Sequence, residues 1–265
     1  MSKLRQELVG YGEEPIIRSY SVTHPRGLNL PEHSYPKWGQ LIYAENGTAT
    51  VWTPDGVRAL PRLRAVWIPA GIASSISVYD SVSFRSIYVR SDYRADKLPS
   101  TVALVNVRPL LRELIAEVCR RSILSFDVPR SAHLAAVVVD EIEAVQDSPL
   151  QLPIPREPRA KRAAEIMLAA GEESDPADGS IDSAAEEAGA SVRTLQRLFL
   201  SDTGMRLGEW QRRARMLRAV RHLARGGSVK EAGQRAGYRS TSAFVAAFRR
   251  ELAGTPGRFF GESSD

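Results

Sequence analysis

Between residues 16 and 90 the apolar positions come in short bursts of alternation rather than in helical stripes. "IIRSYSV", "GQLIYAE", "TATVWT", "AVWIPA" and "SFRSIYV" are rich in β-branched and aromatic residues and are separated by turn chemistry. "ENGT" and "PDGV" are hairpin signals, since Asn-Gly and Asp-Gly tolerate the positive φ of tight turns. Many short strands at such spacing predict an antiparallel barrel or sandwich. From Thr101 the period becomes helical. Val107, Leu110, Leu111, Leu114, Ile115 and Val118 share one face of "NVRPLLRELIAEVCRR", and a second apolar helix spans Ser131–Val145. Beyond them, "DSPLQLPIPREPR" holds four prolines in thirteen residues, which no regular element accommodates and which reads as a linker. A helix at "RAKRAAEIMLAAG", a loop at "EESDPADGS" and a dense helical region follow.

Within that last region the chain repeats itself. "AEEAGASVRTLQRLFLSDTG" (Ala185–Gly204) is echoed by "AGQRAGYRSTSAFVAAFRRELAG" (Ala232–Gly254). Gly189 pairs with Gly237 at an offset of 48, whereas Ser191 with Ser240, Leu195 with Phe244 and Phe199 with Phe248 are offset by 49. One extra residue therefore sits in the second turn. Each copy has the parts of a helix-turn-helix. Small residues (Ala184, Ala185 and Ala188; Ala232 and Ala236) let a second helix cross closely, and Gly189 or Gly237 supplies the left-handed turn. Ser191 or Ser240 then caps the second helix. Leu195, Leu198 and Phe199 turn inward, as do Phe244, Ala247 and Phe248. Arg193, Thr194, Gln196, Arg197 and Ser201 are left facing out. Arg and Gln carry the donor geometry to bond guanine and adenine, and a helix fits the major groove.

Charge sharpens this picture. Residues 190–260 contain 15 Lys/Arg against 4 Asp/Glu, whereas residues 1–150 hold 17 against 16. A basic block of that size suits a polyanion. Ordinary hydrophobic content (43%) marks a soluble globular protein, and no apolar run approaches the ~18 residues that span a bilayer. The polar N-terminus "MSKLRQELVGYGEE" is no signal peptide, and the single cysteine, Cys119, excludes an internal disulfide. A cytoplasmic location without membrane contact is expected.

Residues from about Pro155 to Phe260 resemble the DNA-binding domain of the AraC/XylS transcription regulators. The marks are the first motif with "DTGM", the long helix "RLGEWQRRARMLRAVRHLARG" joining the copies, "VKEAGQRAGYRSTSAFVAAFRREL" and the closing "GTPGRFF". The resemblance implies two helix-turn-helix units on one side of a rigid helix, entering successive major grooves. It places the first set of readers at Arg193, Gln196 and Arg197. The second falls on Arg239, Thr241, Ser242, Val245 and Ala246, most of them short or apolar. Ser191, Thr194 and Ser240 complete the candidate DNA-binding set. Double-stranded promoter DNA, RNA polymerase and a second copy of the chain are the implied partners.

The N-terminal half resembles a cupin, on "PEHSYPKWGQLIYAENGTATV" and "AVWIPAGIASSISV". Metal-binding cupins use a His-X-His pair, a Glu and a later His. Here His33 is kept, but Tyr35, Gln40 and Ser74 stand near the other three positions, and a transition metal needs three or four placed ligands. No catalytic residue, metal or cofactor is assigned, although His24 is close in sequence. Trp38, Tyr43, Trp52 and Trp67 are candidate pocket walls, with His33, Gln40 or Arg85 to orient a small effector. Strand alternation puts Trp38 and Gln40 on the face opposite Tyr43, so these residues cannot all line one cavity.

The expected architecture is an α+β two-domain chain. A cupin-like β-barrel sensor covers 1–100, a helical packing or dimerisation segment 101–148 and a Pro-rich linker 149–158. An all-α DNA-binding domain covers 159–262, with helix-turn-helix units at about 181–202 and 229–252. The leading function is an effector-controlled transcription regulator. A ligand-independent regulator with a vestigial cupin, and a metal cupin enzyme fused to a DNA-binding domain, are the alternatives.

Overall fold

A computed structural model describes residues 15–60, 62–78, 81–143, 151–169, 179–224, 226–252 and 255–257. The polar N-terminus, residues 144–145 of the second apolar helix, most of the loop "EESDPADGS" and the "RFF" of the closing motif lie outside the described residues.

The N-terminal half is built from two antiparallel sheets. Its strands are β1 (Ile17–His24), β2 (Asn29–His33), β3 (Trp38–Asn46), β4 (Ala49–Thr53), β5 (Gly56–Leu60), β6 (Arg64–Ile68), β7 (Ser74–Val78), β8 (Val82–Arg90) and β9 (Ala103–Asn106), joined later by β10 (Ile123–Leu124) and β11 (Gln151–Leu152). One sheet runs β10-β1-β8-β3-β6-β9 and the other β11-β5-β4-β7-β2. The expected barrel is therefore not closed; it is a cupin-like pair of facing sheets. Ile42, Ala44, Val66, Phe84 and Leu104 from the first sheet meet Ala49, Val51, Ile76 and Val78 from the second. The opposite face of the first sheet (Leu41, Tyr43, Trp67, Ile87, Val89) is covered by α1 (Pro109–Arg121) and α2 (Pro129–Asp140), through Leu111, Ile115, Val118, Ala135 and Val138.

The two turn signals resolve differently. "PDGV" does make a hairpin, but its central residues are Pro54 and Asp55, and Gly56 opens β5 opposite Thr53. "ENGT" carries the chain from one sheet to the other, because β3 pairs with β6 and β8 rather than with β4. Gly47 is required there: at φ 69° a Cβ would lie 2.2 Å from the Ser81 carbonyl oxygen.

The C-terminal half is helical: α3 (Pro158–Ala169), α4 (Ile181–Glu187), α5 (Val192–Thr203), α6 (Leu207–Ala224), α7 (Val229–Arg235) and α8 (Thr241–Leu252). α6 is the axis. Trp210, Ala214, Leu217 and Val220 are buried along it, and α3, α5 and α7 pack against it. Two arginines of α6 close the end of α3. Arg221 Nη2 donates to the Leu168 carbonyl at 2.8 Å and Arg218 Nη1 to that of Met167 at 3.2 Å. Burial, reinforced by Arg221 and Arg215, pushes Arg218 down to about 10, which leaves it charged at neutral pH. The hydrophobic cluster between the sheets continues through Leu152 into Ala160, Leu207 and Trp210, so apolar packing is unbroken from one half to the other.

Candidate nucleic-acid interface

The two helix-turn-helix copies are built by the same hydrogen bonds. Gly189 (φ 64°) and Gly237 (φ 80°) hold the left-handed turns. In the first turn the Ala190 N–H donates to the Ala185 carbonyl at 2.9 Å; in the second the Tyr238 N–H donates to that of Gly233, also at 2.9 Å. Ser191 Oγ accepts from the Thr194 N–H at 3.1 Å and Ser240 Oγ from that of Ala243 at 3.2 Å. The turns match at an offset of 48 and the caps at 49, so the inserted residue is Arg239, exposed beside the start of α8. Ser228 and Glu231 add a capping box at α7, and His222 of α6 reaches Glu231 at 3.3 Å.

Each second helix divides as the apolar spacing requires. In α5, Leu195 and Phe199 are fully buried and Phe199 stands edge-on to Trp210 at 5.1 Å. In α8, Phe244 and Phe248 are fully buried and Ala247 nearly so. The exposed face of α5 carries Arg193, Gln196, Arg197 and Ser201, with Thr194 half-buried against the Ser191 cap. Leu200 also lies on this face, 51% exposed, one turn beyond Gln196 and Arg197. Its i+7 spacing from Arg193 made it legible, yet a leucine reads as core by type. On α8, Arg239, Ser240, Thr241, Ser242 and Ala246 are exposed and Val245 is half-buried. That surface offers hydroxyls and a cation at the helix start and little hydrogen-bonding capacity further along, which suits phosphate contact more than base reading.

In the N-terminal half the structure separates the candidate pocket residues. His33, Trp38 and Gln40 converge with three residues that sequence reasoning did not assign to the pocket: Arg18, Tyr35 and Tyr88. Gln40 Nε2 donates to Tyr88 Oη at 3.1 Å, the Tyr35 ring stands 5.1 Å from Tyr88 and 5.2 Å from His33, and Arg18 lies 4.3 Å over Trp38. Burial lowers Arg18, and the phenols of Tyr88 and Tyr35 act against that shift. His33 Nδ1 lies 3.0 Å from the Pro31 carbonyl, and its buried Nε2 has no hydrogen-bond partner. Cross-strand register was the missing signal: Gln40 faces Tyr88, which faces Arg18.

The other four candidates lie elsewhere. Arg85 belongs to the outer face of the first sheet, where it pairs with both carboxylate oxygens of Glu45 (2.6 and 3.0 Å) and lines a groove of about 340 Å³ against α1 with Ser21, Thr23 and Cys119. Tyr43 packs under α1, and Trp67 crosses Gly39 and donates to the Pro99 carbonyl at 2.9 Å. Trp52 is paired with Val57, on the face opposite Val51 and Ile76. His33 and Ser74 are direct cross-strand partners, but among the described residues no group of three His, Cys, Asp or Glu is placed to hold a metal ion.

Residues 184–262 match the family described as "Helix-turn-helix domain". The chain is 29% identical over 233 residues to the HTH-type transcriptional regulator NimR of Escherichia coli, covering 88% of this chain and 82% of NimR. It is 36% identical over 108 residues to the HTH-type transcriptional regulator RipA of Corynebacterium glutamicum, covering 40% of this chain and 31% of RipA. Among solved structures, fatty-acid-bound ToxT of Vibrio cholerae superposes with a TM-score of 0.35 at 11% identity, over 94% of this chain and 97% of ToxT. The cupin domain of Cnp3 from Schizosaccharomyces pombe gives 0.28 at 17% identity, over 30% of this chain and 60% of that one.

Proposed function

We propose that this chain is an AraC-type DNA-binding transcription regulator that reads its promoter mainly with α5 and is controlled by a small effector held between the N-terminal sheets, a reading supported by the helix-turn-helix match and the likeness to NimR. One observation carries the first part. α5 presents Arg193, Gln196 and Arg197 together on its exposed face, over a core anchored by Leu195 and Phe199, and the start of α8 adds Arg239, Ser240, Thr241 and Ser242. Arg and Gln supply the bidentate donors that discriminate bases, and the α8 residues supply phosphate contacts.

The cluster of His33, Tyr35, Trp38, Gln40, Tyr88 and Arg18 supports the second part. It joins aromatic faces to a cation, an amide and a buried imidazole nitrogen with no partner, the mixture that orients a small polar ligand. Tyr35, Gln40 and Ser74 at the cupin ligand positions favour sensing over metal catalysis. Leu110 of α1, Ile123, Phe126 and Val128 between the helices, and Val137 of α2 are exposed and apolar, which supports self-association through this face. RNA polymerase is the expected downstream partner. No helix among the described residues is long and apolar enough to cross a membrane, consistent with a cytoplasmic site of action.

Genome-wide mapping of bound sites tests the function. A shared motif upstream of a small set of genes is expected, and uniform recovery of DNA would overturn the reading. Thermal denaturation across a metabolite panel tests the sensor, because a ligand of the folded state raises the melting temperature; a panel without effect on this protein but with regulated DNA binding favours control by abundance.

A further inference from the structure

The segment between the sheets and the helices is fastened at both ends. On the sheet side, Gln151 and Leu152 pair with Arg58 and Val57 as β11. The approach is close: a Cβ on Gly56 would lie 2.5 Å from the Leu152 carbonyl oxygen, so only glycine lets the chain run there. Arg58, fully buried, anchors β5 through Asp55 at 2.7 Å and the Val102 carbonyl at 3.2 Å. On the helix side, the indole N–H of buried Trp210 donates to the Pro153 carbonyl at 2.7 Å. Asp202, at the end of α5, accepts with Oδ2 from the backbone N–H groups of Arg156 (2.9 Å) and Glu157 (3.0 Å). Glu157 in turn caps α3, its Oε2 accepting from the Ala160 N–H at 2.9 Å.

Seven residues thus run from a sheet edge to the recognition helix, with hydrogen bonds to folded structure at each end. The helix-side bonds come from α5 and α6. α7 packs on α6 and α8 on α7, and β5 and β11 also touch α6, so α5 is bonded to the segment directly whereas α8 stands behind α6 and α7.

We propose that residues 151–157 are a strut rather than a tether, and that Asp202 and Trp210 are positioning residues that set the first recognition helix against the sensor sheets. A change at the β5 edge then alters base contacts made by α5 while those of α8 are kept. The inference rests on the DNA-binding reading and deepens it, by naming which half of the promoter site the sensor controls.

The test uses the full chain and a duplex enriched by wild-type protein from a random library, with derivatives scrambled in one half of the site at a time. Arg193→Ala identifies the half that α5 reads. Asp202→Ala in the helical half and Gly56→Ala in the distant sheet are each expected to weaken binding through the α5 half by about tenfold and to leave the other half within about twofold. Asp202→Asn keeps an acceptor for the two N–H groups and restores most of the loss. Gly56→Ala binding both halves as wild type does, or equal losses in both, overturns the strut. Should Gly56→Ala not fold, hydrogen exchange decides: Asp202→Ala must speed amide exchange in the β5–β11 pair, and unchanged exchange refutes the coupling. A wild-type protein that enriches no sequence defeats the DNA reading itself, a result distinct from either failure of the strut.

Discussion

Replacing Arg193 by alanine separates base reading from general attraction to DNA. Arg193 is exposed on the second residue of α5, and no ion pair engages it among the described residues, so it can approach a base without first breaking a bridge. Its Cβ direction is set from both ends of the local sequence, by the left-handed Gly189 turn and the Ser191 cap before it and by buried Leu195 after it. Losing a bidentate contact to guanine costs about 1–3 kcal/mol, roughly 5- to 150-fold in affinity, at the contacted base pair. Folding stability should change by no more than about 0.5 kcal/mol, since the side chain is solvated and alanine favours a helix. The assay is titration of the enriched duplex and of its single-base variants by fluorescence anisotropy, with thermal denaturation in parallel. Arg193→Ala should bind the enriched duplex more weakly and become indifferent to one base pair. Arg239→Ala should weaken all duplexes alike and flatten the salt dependence by about one counterion. A variant of Arg193 that keeps the wild-type base preference, or loses affinity uniformly, refutes the assignment of α5 as reader.

Three further outcomes are expected. Gly237→Ala forces a side chain into φ 80° with Arg215 Nη1 3.1 Å from the new Cβ, and should destabilise the helical half by about 1–2 kcal/mol; an unchanged melting temperature would contradict the turn. Asp202 is held below the ordinary aspartate range, first by the Glu157 N–H and then by Ser201 and the Arg156 N–H. Its contribution is therefore complete above about pH 4 and fades as pH falls through its lowered value, so Asp202→Asn should flatten the acid side of the stability profile. If the exposed apolar face self-associates as proposed, light scattering should give a dimer for the wild-type chain and a folded monomer for Val137→Glu paired with Leu110→Glu; a wild-type monomer refutes self-association, and a dimer that survives both changes places the contact elsewhere.

The helix-turn-helix units were legible because their determinants are local. Gly189 with Ser191, and Gly237 with Ser240, specify turn and cap within three or four residues, and the apolar residues that follow repeat at i, i+3 and i+4. The sheets were legible only in part, since strand partners are distant in sequence. "ENGT" has the residues of a hairpin, yet Gly47 turns the chain between sheets, a choice made by Ser81 and Val82 packing against it. Alternation separated Tyr43 from Trp38, but only register brought Arg18 and Tyr88 beside Gln40 and sent Arg85 to Glu45. The proline-rich segment looked structureless because Pro153, Pro155 and Pro158 forbid regular pairing. Its order comes from Gly56, Trp210 and Asp202, residues dozens of positions away.

The alanine-rich helix α8 poses the same contrast as the strut: it has the outline of a reader, but Phe244 and Phe248 spend its interior on the core and leave Ala246 and Val245 where base contacts would be made. Selection of duplexes from a random library by the purified chain therefore tests the account most directly. Two recognition helices held on α6 predict two enriched segments about one helical turn, roughly 10 base pairs, apart, with the stronger base preference in the segment lost by Arg193→Ala. Enrichment of a single uninterrupted segment, of two segments with the stronger preference assigned to α8, or of none, would contradict it.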